Sequence, residues 1–328
     1  MKKLLKKTLK LILPVVLGGF ILFWVYRGFD FTKAGDVLLH GTNWWWMLLS
    51  LLFGVFAQVF RGWRWRQTLE PLDAFPKRSD CVNAIFVSYA ASLVIPRIGE
   101  VSRCGILAKY DKVSFAKSLG TVVTERLVDT LTILLITGGT VLLQMPVFVT
   151  FLQQTGTKIP SLLHLLTSVW FYIVLFCFIG VLTLLYYLRK TLFFYEKVKG
   201  FVLNIWEGIM SLKSVRNIPL FIFYTFAIWA CYFFHFYFTF YSFAFTAHLG
   251  VMAALVMFVG GTFAVIVPTP NGAGPWHFAV ISMMMLYGVN VTDAGIFALI
   301  VHGIQTFLVV LLGVYGLAVL SLTNRHRN

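Results

Sequence analysis

Long apolar runs alternate with short basic segments along most of this chain. Apolar segments lie at about 11–26, 44–60, 118–143, 165–188, 218–247 and 294–321. A helix that crosses a bilayer needs about 20 such residues, so these six read as full spans. Two further apolar runs are broken by Pro and Gly. One covers residues 84–95 and ends at Pro96-Arg97-Ile98-Gly99-Glu100. The other covers residues 251–267, ends at Pro268-Thr269-Pro270-Asn271-Gly272-Ala273-Gly274-Pro275, and resumes over 276–288. The basic start followed by an apolar stretch looks like a secretion signal. The stretch is long and has no clear small-residue cleavage site, so an uncleaved first span is expected.

Composition narrows the class. Of 328 residues, 59% are apolar and 12% are charged, and the mean hydropathy is +0.85. Soluble domains carry roughly 25% charged residues. A soluble enzyme and a disordered chain are thereby excluded, and an all-α polytopic membrane protein is expected, a single membrane domain over residues 1–328. Cys81, Cys104, Cys177 and Cys231 are scattered without CxxC spacing and read as small apolar residues.

The net charge of +15 comes from 27 Lys and Arg against 12 Asp and Glu. In a soluble protein this would suggest nucleic acid; here it follows the loop bias of membrane proteins, and no nucleic-acid partner is expected. Of the 27 cations, 23 fall in residues 1–10, 61–80, 97–117, 189–216 and the tail after 321. By the positive-inside rule these segments face the cytoplasm. Both termini are then cytoplasmic, and the location is the cytoplasmic membrane. The broken segment at 81–113 begins and ends inside, and the one at 250–291 begins and ends outside. Each reads as a re-entrant hairpin, a form tolerated only where protein or a cavity shelters the irregular backbone. The halves 11–143 and 165–321 share one plan, two spans, a hairpin and a span, and start on opposite sides. That predicts an inverted repeat.

Charge inside a membrane is costly and usually has a task. Pro96, Arg97, Gly99, Glu100 and Arg103 sit at the first hairpin turn, and Glu125, Arg126 and Asp129 within the next span. Glu125 and Asp129 are i,i+4 and share a helix face. Arginines can grip a phosphate with a planar fork of donors, and the carboxylates can orient them or couple cations. A closed ion-pair network between hairpin and span is the competing reading. Truncating Glu125 or Arg126 is expected to abolish activity in a folded protein. In the second hairpin Pro268, Pro270, Asn271, Gly272 and Gly274 shape the turn, with His277, His302 and Gln305 as candidate lining of the same cavity. His235 and His248 read as structural. No metal-binding spacing, nucleotide motif or cofactor motif is present. Arg61, Arg64 and Arg66, interleaved with Trp63 and Trp65, read as interfacial anchors, as do Trp44, Trp45 and Trp46. The aromatic stretch over 232–245 reads as lipid-facing or helix-packing surface.

Three segments, P-R-I-G-E-V-S-R at 96–103, T-E-R-L-V-D at 124–129 and P-T-P-N-G-A-G-P-W-H at 268–277, resemble the flippase-like membrane domain of lysylphosphatidylglycerol synthases, in its stand-alone form. The resemblance runs from about residue 10 to 320. The third segment departs from the usual P-x-x-P-G-G-x-G-x-x-E: Asn271 replaces a glycine and His277 stands in place of the glutamate. The cytosolic aminoacyl-transferase domain is absent, so lipid lysylation is not expected. The resemblance implies a non-enzymatic translocase, flippase or scramblase, that moves a polar, phosphate-bearing lipid between leaflets. Arg97, Arg103 and Arg126 would contact phosphate, with Glu100, Glu125 and Asp129 beside them. The expected partners are membrane lipids, an anionic phospholipid or lipid-linked substrate, with a second copy of the chain or a lipid-synthesis enzyme also in view. The other readings are a membrane-embedded transferase on a lipid-linked substrate and a non-transporting partner of a lipid synthase.

Overall fold

A computed structural model describes residues 2–146 and 215–324, with Val149, Tyr172 and Phe176 as isolated positions. Within it the chain is helical, and no strand occurs among the described residues. The helices are α1 (Lys2–Val25), α2 (Phe31–Asp36), α3 (Trp44–Leu69), α4 (Arg78–Val94), α5 (Ile98–Tyr110), α6 (Phe115–Leu143), α7 (Ile218–Tyr237), α8 (Val251–Ala264), α9 (Pro275–Leu286) and α10 (Val291–Thr323).

Local chemistry sets several boundaries. Asn43, Asn217 and Asn290 precede α3, α7 and α10. Each accepts a hydrogen bond from a first-turn backbone N–H, at Trp45, Leu220 and Asp293. This satisfies a donor that the helix start leaves open. Asp30 does the same twice for α2.

Four helical stretches among the described residues are long and apolar enough to cross a membrane: Trp44–Leu72, Phe115–Leu143, Ile218–Ser242 and Val291–Thr323. They correspond to four of the six expected spans. The expected first span falls in α1, whose part Leu13–Val25 is a shorter apolar helix. The expected span at 165–188 lies outside the described residues. Leu131, Leu134, Leu135 and Leu142 of α6 and Ile222, Phe223 and Phe226 of α7 are exposed. Apolar surface of that extent needs lipid around it.

Both broken segments form helical hairpins. In the first, α4 and α5 are joined through Ile95, Pro96 and Arg97 and pack against each other. In the second, α8 and α9 are joined by the turn at 265–274, which contains one tight helical turn at Pro270–Gly272. These four helices have 17, 13, 14 and 12 residues. At about 1.5 Å per residue each is about 18–25 Å long, short of a hydrocarbon core of about 30 Å.

Two apolar cores hold the hairpins. Trp65, Leu69, Cys81, Ile85, Cys104 and Leu107 join α3, α4 and α5. Phe236, Phe240, Met257, Met284 and Phe297 join α7 to α10. Phe236, Phe240 and Phe243 are buried, so the inner face of the aromatic stretch is helix-packing surface. Cys81, Cys104 and Cys231 are free thiols within the packed interior; Cys177 lies outside the described residues.

Candidate functional site

The two hairpin turns face one cavity. Its volume is about 640 Å³, and it is lined by the first turn (Pro96, Arg97, Gly99, Glu100, Arg103) and the second (residues 265–269, Asn271, Gly272). Ser88, Tyr89 and Ser92 of α4 and Arg126 and Thr130 of α6 close further sides. Segments about 170 residues apart in sequence are thus brought together, Pro268 and Pro96 included.

The first turn is tightly built. Gly99 approaches α4 so closely that a Cβ there would collide with the Ser88 carbonyl oxygen and Ser92 Oγ. Its N–H donates to Ser92 Oγ at 3.2 Å. Arg97 takes a left-handed conformation, with φ at 66°. Such a conformation is uncommon for a residue with a side chain, and where it occurs it clusters at functional sites. The Arg97 side chain is exposed, lines the cavity, and has no ion pair among the described residues.

Behind the cavity lies a buried ionic network. Arg61 Nη1 donates to Asp129 Oδ2 at 2.7 Å, and Arg64 Nη2 to Asp129 Oδ1 at 2.7 Å. Arg64 Nε lies 3.6 Å from Glu125 Oε1, and Arg103 Nη1 lies 2.7 Å from Glu125 Oε2. Arg64 and Glu125 are fully enclosed, and Arg61, Arg103 and Asp129 nearly so. Arg126 bridges outward: its Nε is 3.3 Å from Glu100 Oε1 and its Nη2 3.5 Å from Asp129 Oδ2. Five guanidinium groups, counting Arg97, therefore meet three carboxylates, for a net charge of +2.

The network sorts the charged residues in two. Arg61, Arg97, Glu100, Arg103 and Arg126 line the cavity. Glu125 and Asp129 do not; they lie behind it and hold the arginines. Hydrogen bonding is incomplete at the front. Both Arg103 terminal nitrogens are buried without a well-aligned acceptor, although one is close to Glu125. The short distance makes an ion pair, while the poor alignment leaves hydrogen-bonding capacity unused on Arg103.

Arg61 and Arg64 correct the reading as interfacial anchors. Helix α3 runs on to Leu69, past the expected end at 60, and carries both side chains into the protein. Trp65 is also buried; its Nε1 donates to Thr121 Oγ1 at 3.0 Å, and Arg103 lies 4.5 Å from its ring centroid. The usable signal was spacing. Arg61 and Arg64 are i,i+3, so one helix face presents two cations to the Glu125 and Asp129 face. Trp44 and Trp45 are exposed, as anchors would be.

The second turn is held from behind. Asn271 Nδ2 donates to Thr306 Oγ1 at 2.7 Å, and His302 Nε2 lies 3.1 Å from the Asn271 carbonyl oxygen. Gly274, with φ at 92°, packs against Gly18 and Ile21 of α1. The His277 ring lies 4.5 Å, centroid to centroid, from that of His302. It is buried, and its Nδ1 accepts the Gly274 N–H at 3.3 Å, capping the start of α9. His302 and Gln305 line a smaller cavity of about 200 Å³ with Asn271 and Trp276. His235 is half-buried against the Ser50 carbonyl oxygen, at 2.7 Å, and His248 is exposed. An apolar groove of about 450 Å³ runs between α1 and the second hairpin and shares Val267 with the main cavity.

No curated protein and no solved structure matches this chain. The family described as the lysylphosphatidylglycerol synthase TM region matches residues 11–313, which contain both hairpins and the whole ionic network. With that match over nine-tenths of its length, the chain belongs to the lysylphosphatidylglycerol synthase transmembrane-region family and is a multi-pass membrane protein related to lipid handling.

Proposed function

We propose that the protein is a lipid translocase that moves a phosphate-bearing lipid between leaflets of the cytoplasmic membrane. The observation that carries this reading is the cluster of guanidinium groups in a cavity between two hairpin turns. A charged group costs about 2.5–3.5 kcal/mol at mid-bilayer on insertion scales. A path lined by Arg97, Arg103 and Arg126 lowers that cost for a phosphate, because arginine offers charge and directed donors together. The apolar groove that shares Val267 with this cavity suits the lipid tails.

In this reading both termini are cytoplasmic, six spans cross, and the hairpins are re-entrant from opposite faces, as halves of an inverted repeat. Helices α4, α5, α8 and α9 are short enough for that role. The test is leaflet exchange of a labelled anionic phospholipid in liposomes holding the purified protein. Exchange well above protein-free vesicles, lost in Arg126→Ala, is expected. Exchange at the protein-free rate from folded protein would remove the proposal.

A further inference from the structure

Two imidazoles hold the backbone of the second hairpin turn. His277 Nδ1 accepts the Gly274 N–H at 3.3 Å, and His302 Nε2 lies 3.1 Å from the Asn271 carbonyl oxygen. Their ring centroids are 4.5 Å apart. The backbone partners fix where the protons sit. A backbone N–H only donates, so His277 Nδ1 presents a lone pair and the proton of that ring is on Nε2. A carbonyl oxygen only accepts, so His302 carries a proton on Nε2.

The two rings therefore respond differently to a second proton. His302 takes one on Nδ1 without losing its bond to Asn271. His277 can take one only on Nδ1, and that nitrogen then has nothing with which to accept the Gly274 N–H. The held turn and a protonated His277 exclude each other. No carboxylate stands by to offset the charge. His277 is 2% exposed. Among the described residues the titratable groups that face it are Tyr26, just past α1, with its ring centroid 5.7 Å away, and His302 of α10. The Tyr26 hydroxyl donates to the Gly295 carbonyl oxygen at 3.2 Å. Helix α8, packed along α9, carries no titratable side chain. A buried cation without a partner is costly, so a proton on this ring favours a turn that lets the ring reach water.

We infer that His277 is an acid-sensitive latch: proton uptake at its Nδ1 releases the start of α9 and loosens the second turn. The consequence reaches the arginine cavity, because Thr269, Asn271 and Gly272 of that turn form part of its wall. The latch does not depend on what the cavity carries. In the released turn the imidazole titrates near its ordinary value of about 6.5. The released form then binds more protons than the held one, so the turn is firm above that pH and weakens as pH falls through it.

The test is amide hydrogen exchange of the full chain in detergent, without added lipid, read by mass spectrometry and corrected for the intrinsic pH dependence of amide exchange. Local opening is what such protection reports. One proton linked at about 6.5 predicts that peptides covering 268–278 lose protection about tenfold between about pH 7.5 and about pH 5.5. Peptides covering 96–103 serve as the reference and should stay level. In His277→Gln, whose amide oxygen accepts the same N–H without titrating, the loss should vanish. In His302→Gln, whose amide can still donate to Asn271, it should persist. Equal protection at both pH values in the unmodified chain overturns the latch, as does a tenfold loss that survives in folded His277→Gln. If His277→Gln fails to fold, His302→Gln decides: a lost pH response there assigns the proton to His302 and overturns the assignment to His277.

Discussion

Arg64 of α3 and Asp129 of α6 meet at 2.7 Å in a buried pair, and Arg61 shares the same carboxylate. A buried pair adds little net stability, but removing one partner strands the other. Asp129→Ala leaves two enclosed guanidiniums without their acceptor and is expected to cost about 3–5 kcal/mol. Thermal unfolding in detergent would show it as a sharply lowered midpoint. Arg64→Met with Asp129→Leu should recover part of the loss, since a packed apolar pair needs no desolvation. A midpoint for Asp129→Ala equal to the unmodified protein would show that the network is not closed.

The same reasoning revises the expectation for Glu125. It is enclosed between Arg64 and Arg103 and does not line the cavity. Glu125→Ala is therefore expected to lower stability by about 3–5 kcal/mol, so its loss of exchange would not identify a substrate contact. Arg126 is the better probe, because it is 43% exposed at the cavity edge. An exposed ion pair contributes about 1 kcal/mol or less. Arg126→Ala should therefore stay folded while exchange falls. Comparing melting and exchange for both variants separates the two roles.

Arg97 offers a test of stored strain. Its φ of 66° suits glycine better than arginine. Arg97→Gly is expected to match or exceed the unmodified protein in stability, by about 1 kcal/mol. Exchange should nevertheless drop at least tenfold if the guanidinium contacts phosphate. Retained exchange in that variant would take Arg97 out of the site.

Much of this arrangement was legible in the chain. The long apolar runs mark α3, α6, α7 and α10, and Pro96 and Pro268 with their neighbouring glycines mark the two hairpin turns. The cluster at 96–103 and 124–129 was also legible, because charge in an apolar surrounding is conspicuous. What escaped was pairing at long range. Arg61 and Arg64 look like a membrane-edge cluster until α3 is seen to continue inward toward acids more than 60 residues away. Tyr89 and Tyr232 are likewise ordinary aromatics in sequence, and only the packing places their hydroxyls together. The helix cap that His277 makes also requires the local backbone to be seen.

That cap explains the departure at His277 from the glutamate of the family pattern. A glutamate three residues into a helix can reach back to accept the N–H of the preceding cap residue. His277 Nδ1 accepts the Gly274 N–H in the same way. The position then serves the start of α9. His277→Ala is expected to cost about 1 kcal/mol through the lost cap, and His277→Gln or His277→Glu, which can both accept that N–H, should restore most of it. Exchange should stay within about twofold of the unmodified rate in the folded variants, a free-energy change below 0.5 kcal/mol on the scale where tenfold is about 1.4. Melting curves and exchange rates for the three variants decide the matter: a glutamate that restores stability while abolishing exchange would place this side chain in the transport path after all.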